Sequence, residues 1–109
     1  MPARIINIGD LQPTDTLRIG TISYLETLTP QEIIGLGMPQ VWDTPYGLLI
    51  SDGNHRVAAL AQKGVKTLEA DYIKISVDDI EINGLQEVIA RAEQLRALGI
   101  TNPYDLWQI

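Results

Sequence analysis

Residues 48–64 constrain the fold of this chain more than any other segment, because they combine a short apolar run, a glycine turn and a helical pattern. The triplet at 48–50 is apolar and bounded by turn residues, which is typical of a buried central strand. Residues 54–63 then carry apolar side chains at helical spacing, and Gly64 stands where a left-handed cap ends a helix. The pattern predicts a strand, a tight turn and a helix in direct succession.

Further strands are predicted on both sides of this unit. Residues 4–8 are β-branched and apolar, and residues 17–24 resume an extended pattern after a turn. Residues 65–77 are predicted as a strand whose apolar side chains at 73, 75 and 77 alternate on one face. Together with the helix before it, this last strand predicts a strand–helix–strand unit.

A short helix is predicted to begin after Thr29. The sequence there reads Thr-Pro-Gln-Glu, with a capping threonine, proline at the first helical position and Glu32 at the third. Gly35 and Gly37 follow within two turns, and Pro39 prevents the helix from continuing. Residues 41–47 contain Asp, Pro and Gly and are predicted as a turn or bend.

The most regular helical pattern lies near the C-terminus. Apolar residues recur every three or four positions over residues 85–98, and Gly99 closes the helix. The start at Asn102 repeats the pattern of a cap followed by proline, which predicts one terminal turn. The tail around Trp107 either packs on the core or forms a surface for a partner, and the cost of leaving tryptophan in water favours packing.

Length and composition limit the classes of protein to which the chain can belong. A chain of 109 residues predicts one domain, residues 1–109, and the mixture of elements predicts an α+β fold. The net charge of −6 argues against DNA as a partner. Without cysteine and with a single histidine, thiol chemistry and metal sites built on several histidines are excluded. No stretch approaches the roughly 18 apolar residues of a membrane span, so we expect a cytoplasmic protein.

The turn before the central helix carries the residues best suited to chemistry. A glycine turn that opens a helix exposes backbone N–H groups at the positive end of the helix dipole, which favours an anion such as phosphate. Gly53 allows close approach of a ligand, Asn54 and His55 add polar groups, and Arg56 can donate two hydrogen bonds to a phosphate. Each residue also has a purely structural interpretation, as a helix cap, a turn glycine or a solvated side chain.

Residues 50–64 read Ile-Ser-Asp-Gly-Asn-His-Arg-Val-Ala-Ala-Leu-Ala-Gln-Lys-Gly and resemble the DGxHRxxAxxxxG segment of the ParB/sulfiredoxin superfamily, which includes the free serine kinases. The resemblance implies a small α+β fold with a mixed sheet, in which this strand–turn–helix binds nucleotide phosphates. It would place the phosphates at Gly53, Asn54, His55 and Arg56.

Departures from the family pattern separate its branches. Sulfiredoxins have their reactive cysteine where Asn54 stands, so that reaction is excluded. ParB proteins typically carry two arginines at the positions of His55 and Arg56 and add a helix-turn-helix domain, for which there is no room. The free serine kinases read Asp-Gly-His-His-Arg in the turn and place a catalytic glutamate in a segment similar to residues 28–32. The resemblance would make Glu32 the general base and would give Asp52 a role with metal or substrate, whereas capping alone also explains Glu32.

Two functional hypotheses follow from the sequence. The first is a nucleotide-binding domain for ATP, ADP or CTP with Mg²⁺, acting as an ATP/ADP-dependent phosphotransferase or a nucleotide hydrolase if Glu32 and Asp52 meet at the site. The second is a non-catalytic interaction module that keeps the same fold. It would form a homodimer or bind a protein partner through the helix at 85–98 and the Trp107 tail.

Overall fold

A mixed four-stranded sheet with helices packed around it forms the framework of the protein, as seen in a computed structural model that describes residues 3–108. The strands are β1 (Ala3–Asn7), β2 (Gln40–Thr44), β3 (Gly47–Asp52) and β4 (Thr67–Lys74). The helices are α1 (Ile19–Glu26), α2 (Pro30–Gly35), α3 (Asn54–Gln62), α4 (Val77–Ile82) and α5 (Gln86–Ala97), with short 3-10 helices at Ile8–Asp10 and Pro103–Gln108.

The strand order in the sheet is β1-β4-β2-β3. β4 pairs antiparallel with β1 and parallel with β2, while β2 and β3 are antiparallel neighbours. The described residues form one compact α+β unit with a Cα radius of gyration of 13.4 Å. The expected fold class and mixed sheet are therefore confirmed at this level.

Helix α3 lies at the centre of the molecule. Its residues Val57 and Leu60 pack with Val41 and Ile50 of the sheet, and all four are at most 1% exposed. On its other side, Ala58 packs against α5 and the C-terminal segment. Small alanine side chains on this second face allow the neighbouring elements to approach closely, so α3 is enclosed and its first turn has a fixed position.

The strand at 48–50 is real, but its predicted position in the sheet is wrong. β3 is the last strand of the sheet and not a central one. It is buried because residue 12 lies beside it: the Gln12 N–H donates to Leu48 O at 2.8 Å, and the Ile50 N–H donates to Gln12 O at 3.1 Å. The predicted succession of strand, helix and strand is present as β3, α3 and β4. However, β3 and β4 are not parallel neighbours: β2 lies between them, and they run in opposite directions.

Three local predictions are wrong. Residues 17–24 are not extended but contain most of α1, where Ile22 and Leu25 are spaced by three residues and face the core. Residues 41–47 contain most of β2, because Val41 is buried in the sheet. Only the last residues of this range form a turn. β4 ends at Lys74, since the Ser76 side chain caps the start of α4, so the apolar residues at 75 and 77 are not part of one strand face.

Other local predictions are confirmed. The first strand is present at Ala3–Asn7, and Thr29 and Glu32 form a reciprocal capping box at the start of α2. Gly64 and Gly99 follow their helices with φ of +85° and +86°. α5 spans twelve residues, slightly fewer than the pattern at 85–98 suggested.

The C-terminal tail packs on the core. Leu106 is buried, and the Trp107 indole Nε1–H donates to the carbonyl of Ala58 in α3 at 2.9 Å. Asn102 caps the terminal turn by accepting from the backbone N–H of Tyr104. Residue 109 lies outside the described residues. The folding-back alternative is thus confirmed for Trp107.

Within residues 3–108, the helices are all too short or too polar to cross a membrane.

Replacing Trp107 with alanine tests the role of the tail. Trp107→Ala removes a partly buried ring and the hydrogen bond to Ala58, so we expect the free energy of unfolding to fall by about 2 kcal/mol. Urea unfolding measures this loss. The control Leu98→Ala removes a side chain that is 75% exposed and should shift stability by no more than about 0.5 kcal/mol. Unchanged stability in Trp107→Ala, with loss of a dimer by light scattering, would contradict the structural role.

Candidate functional site

A cleft of about 480 Å³ opens at the start of α3, where the sequence placed the anion site. Parts of α1, the turn after β3, the first turn of α3 and one residue of α5 form its walls. We call it the arginine cleft; it is lined by Thr14, Asp15, Arg18, Thr21, Tyr24, Leu25, Leu36, Ser51, Asp52, Gly53, Asn54, His55, Arg56 and Arg91.

Gly53 is the residue whose backbone shapes the turn. Its φ is +97°, a left-handed conformation in which side chains are rarely tolerated. A Cβ atom at Gly53 would lie 3.0 Å from Nη2 of Arg56 and 3.1 Å from Cβ of Pro39. As the N-cap of α3 it brings no capping side chain, whereas α2 and α4 both begin with capping boxes. The first N–H groups of α3 therefore depend on other partners, such as water or an anion.

Asn54 joins α3 to the segment before α1. Its Oδ1 accepts from the Thr14 N–H at 2.9 Å, and its Nδ2 donates to Thr14 Oγ1 at 3.0 Å. Thr14 Oγ1 in turn donates to the carbonyl of Ile50 at 2.5 Å. Asn54 is buried, and both the oxygen and the nitrogen of its amide are hydrogen-bonded. Its side chain therefore fixes the position of Thr14 in the wall of the cleft.

His55 caps the beginning of α1. Its Nε2 accepts from the backbone N–H of Arg18 at 2.8 Å, which places the proton of the neutral ring on Nδ1. Burial, and secondarily the positive charge of Arg18, lower the pKa of His55, while Asp15 raises it to a smaller extent. His55 is thus a neutral acceptor that orients α1, whereas the sequence analysis assigned its side chain to the ligand.

Arg56 lies between two glycines. Its Nη1 donates to the carbonyl of Gly37 at 2.8 Å, and its Nη2 lies 3.3 Å from Asp52 Oδ2. A Cβ atom at Gly37 would lie 3.0 Å from Nη1, so both flanking positions leave room for the guanidinium only because they are glycines. The side chain is 19% exposed. It lines the arginine cleft with part of its hydrogen-bonding capacity already used.

Arg56 also borders a second cavity, of about 440 Å³, on the other side of the Gly37 loop. We call this cavity the apolar groove; it is lined by Ile5, Ile33, Ile34, Gly37, Met38, Pro39, Arg56, Leu60, Thr67, Leu68 and Glu69. One guanidinium therefore forms part of the wall of both cavities.

The two predicted catalytic carboxylates are in different places. Asp52 lines the arginine cleft with a side chain that is 76% exposed. Glu32 accepts from the backbone N–H of Thr29 at 3.0 Å in the capping box of α2. It is not one of the described residues that line the cleft. The structure brings together residues 52–56 as expected but leaves Glu32 in its capping role.

Two basic residues of the cleft were not predicted. Arg18 stands just before α1, with a side chain that is 72% exposed and an Nη2 atom 3.8 Å from Asp15 Oδ2. Arg91 reaches the cleft from the exposed side of α5. Neither belongs to a motif, and they are far from residues 52–56 in sequence, so no sequence pattern connects them to the turn.

The cleft is positively charged relative to the rest of the chain. Arg18, Arg56 and Arg91 are three of the eight lysines and arginines in a chain of net charge −6. They face two aspartates, Asp15 and Asp52. Cations gathered beside a helix N-terminus attract anions, and their effect is larger in a recessed site than on a flat surface.

A Mg²⁺ ion expected with a nucleotide would need oxygen ligands in an octahedral arrangement. Asp15 and Asp52 are the carboxylates that line the cleft, and each lies close to an arginine. Among residues 3–108, no cluster of three or more histidine, aspartate or glutamate side chains is placed to hold a metal. These residues do not form a Mg²⁺ site by themselves, so the ion would have to enter together with phosphates.

No protein-family model matches the chain, and the comparison with curated proteins gives no match either. The ParB/sulfiredoxin resemblance therefore rests on residues 50–64.

The buried position of His55 predicts a loss of stability in mild acid. Its pKa is lowered in the folded protein from about 6.5 in the unfolded chain, so unfolding takes up a proton as the pH falls below 6.5. The stabilisation is complete above that pH and is lost as the pH falls towards the folded pKa. NMR of the single imidazole gives the folded pKa, and urea unfolding between about pH 7.5 and pH 5 gives the stability.

The variant His55→Gln serves as the control for this titration. It removes the titrating group, so the loss of stability in this pH range should disappear, although the variant starts from a lower stability at pH 7.5. A folded pKa at or above 6.5 would contradict the neutral, buried histidine.

The capping role of Glu32 gives a second prediction. Glu32→Ala should destabilise the protein by about 1 kcal/mol, because it removes one half of the capping box. Glu32→Gln should be close to wild type, because glutamine can make the same bond to the Thr29 N–H. Both stabilities are measured by urea unfolding. Equal losses in the two variants would show that the negative charge, not the hydrogen bond, is what matters.

Proposed function

We propose that the arginine cleft binds the phosphate groups of a nucleotide. The observation that carries the proposal is the convergence of Arg18, Arg56 and Arg91 on the glycine turn that opens α3, in a chain that is otherwise acidic. Backbone N–H groups of the first turn of α3 donate to one phosphate, and the exposed Arg18 and Arg91 approach others from the sides. Arg56 contributes the donors that Gly37 and Asp52 leave unused.

A nucleotide fits the shape of the cleft better than a bare phosphate ion does. Tyr24, Leu25 and Leu36 add apolar and aromatic surface to the wall of the cleft, whose other lining residues are mostly polar or charged. A base or ribose packs against such a wall, since aromatic side chains stack on nucleobases. Thr21 also lines the cleft, and its hydroxyl suits a sugar hydroxyl.

The ParB/sulfiredoxin fold is part of the same proposal. It is supported by the resemblance of residues 50–64, by the mixed α+β sheet and by the strand–turn–helix at Gly53. Nucleotide binding is the main claim of the proposal. Phosphoryl transfer or hydrolysis would additionally need a base at the cleft; Asp52, which lines the cleft, is the candidate for that role, while Glu32 is engaged in capping. A cytoplasmic location agrees with a nucleotide ligand.

The interaction-module hypothesis has less support. It relied on an exposed C-terminal tail, but Leu106 is buried and Trp107 is hydrogen-bonded to α3. On α5, Ala92 and Leu95 face the core. The tail is therefore used for folding, while most of α5 stays exposed or partly exposed.

Ligand-induced stabilisation tests the proposal. Pyrophosphate, ATP, ADP and CTP are each added with and without Mg²⁺, and the melting temperature is measured together with binding by calorimetry. A nucleotide present at 100 times its Kd should stabilise the fold by about 2.7 kcal/mol. If the melting temperature does not change with any nucleotide or with pyrophosphate, the proposal is wrong.

Charge variants locate the binding site. Arg18→Gln and Arg91→Gln each remove a cation of the cleft, and we expect each to weaken binding by about tenfold, the effect of one charge-assisted hydrogen bond. Lys74→Gln makes the same change of charge on β4, outside the lining of the arginine cleft, and should bind like wild type. Equal weakening by all three would indicate a general charge effect and would contradict a specific site.

A further inference from the structure

β4 has a neighbouring strand on both sides only at Asp71. β1 pairs with residues 67–71, whereas β2 pairs with β4 only from Asp71 to Lys74. Residues 67–70 therefore lack a strand on the β2 side, and the sheet has a notch there. The apolar groove occupies this notch, since Thr67, Leu68 and Glu69 form one of its walls.

Backbone groups of β4 point into the notch. The Ile8 N–H donates to Lys66 O at 2.9 Å, which fixes the alternation of hydrogen-bonded pairs along the antiparallel ladder. Thr67 and Glu69 then direct their N–H and C=O groups away from β1. Asp71 follows the same alternation, and its N–H donates to Pro39 O at 2.9 Å. Outside the ladders, no backbone hydrogen bond among residues 3–108 involves Thr67 or Glu69.

Two features stop the β2 ladder at this point. If the ladder continued, the Glu69 N–H would donate to the carbonyl of Gly37, and the Glu69 carbonyl would accept from the backbone nitrogen of residue 39. The Gly37 carbonyl accepts from Arg56 instead, and Pro39 has no N–H to donate. The notch is therefore built by specific residues and is not an effect of fraying.

The walls of the notch suit an extended peptide. Ile33 and Leu60 are buried beneath it, while Ile34 and Met38 are large apolar side chains that stay exposed at its rim. Four strand residues span about 13 Å, so three or four residues of a peptide can lie beside residues 67–70. Only an extended backbone satisfies donors and acceptors that alternate every second residue along a strand edge.

Charge selects the direction of such a peptide. Arg56 lies near the end of the notch where β2 begins, because a Cβ at Gly53 would lie 3.0 Å from its Nη2 and 3.1 Å from Cβ of Pro39, the residue before β2. A peptide that continues the line of β2 parallel to β4 brings its carboxyl terminus to this guanidinium, whereas an antiparallel peptide brings its ammonium group there. The attraction of a carboxylate to Arg56 therefore favours the parallel direction.

We propose that the apolar groove binds the carboxyl-terminal segment of a partner protein, which adds to β4 as a short parallel strand. Its backbone pairs with Thr67 and Glu69, its apolar side chains contact Ile34 and Met38, and its terminal carboxylate meets Arg56. This site is separate from the nucleotide proposal, although both sites include Arg56.

Defined peptide pools test the proposal on the 109-residue chain. One pool contains acetylated hexapeptides with a free carboxyl terminus and with Val, Ile, Leu or Thr at each of the last four positions, and the matched pool is amidated. We expect members of the acid pool to bind, to slow amide hydrogen exchange at Thr67 and Glu69, and to bind about tenfold more tightly than their amides. Failure of the whole acid pool to bind, or equal binding of acids and amides, would overturn the proposal.

Variants at the strand edge separate backbone pairing from other modes of binding. Glu69→Pro removes the N–H that points into the notch and should weaken peptide binding by about tenfold, whereas Glu69→Ala keeps the N–H and should bind like wild type. Ile34→Asp, at a position that is 57% exposed, should also block binding and remains informative if the proline variant does not fold. Binding of decanoate but of no peptide would show a site for small amphiphiles and would refute strand addition.

Variants of residues that line only one of the two cavities keep this test independent of the nucleotide proposal. Arg18→Gln should bind the peptide normally, and Glu69→Ala and Ile34→Asp should bind pyrophosphate normally, because Arg18 lines only the arginine cleft and the other two residues line only the apolar groove. Loss of both ligands in Ile34→Asp would contradict two separate sites.

Discussion

Three consecutive side chains in the first turn of α3 hold two other segments of the chain in place, the one before α1 and the loop at Gly37. Asn54 binds Thr14, His55 accepts from the Arg18 N–H, and Arg56 donates to the Gly37 carbonyl. A helical turn directs successive side chains about 100° apart, so adjacent residues reach different neighbours. α3 is itself enclosed between the sheet and the C-terminal segment. The loops that form the candidate site are therefore positioned by one rigid element.

This arrangement reverses the roles that the sequence suggested for the same residues. A cluster of Asn, His and Arg beside a glycine turn indicates ligand binding, yet the side chains of Asn54 and His55 are used to satisfy buried backbone and hydroxyl groups. No side-chain polar atom buried within residues 3–108 lacks a hydrogen-bond partner. Buried polar groups must be paired, so three tethers of this kind favour a single arrangement of the loops. The groups left for a ligand are backbone N–H groups and the arginines at the rim.

Local signals explain what could be predicted from the sequence. The strand–turn–helix at 48–64, the capping box at Thr29 and the helix closed by Gly99 each depend on residues close together in the chain. The helix at Ile19–Glu26 was missed because its short apolar pattern also suits a strand, and its start is capped from a distant residue, His55. Strand order and the approach of Arg91 depend on packing between distant segments, which no local pattern encodes.

The position of one guanidinium accounts for both cavities. Arg56 needs glycine at 37 and at 53, since a Cβ at either position would lie 3.0 Å from it. Its hydrogen bond occupies the carbonyl of Gly37, which would otherwise accept from β4 if the ladder between β2 and β4 continued. That ladder therefore starts only at residue 40. On one side of the guanidinium this leaves the notch along β4, and on the other it leaves the turn at Gly53 open. Arg56, which the sequence predicts to be a phosphate ligand, therefore first separates the Gly37 loop from the turn at Gly53. The two cavities on either side of its guanidinium are the spaces available to ligands.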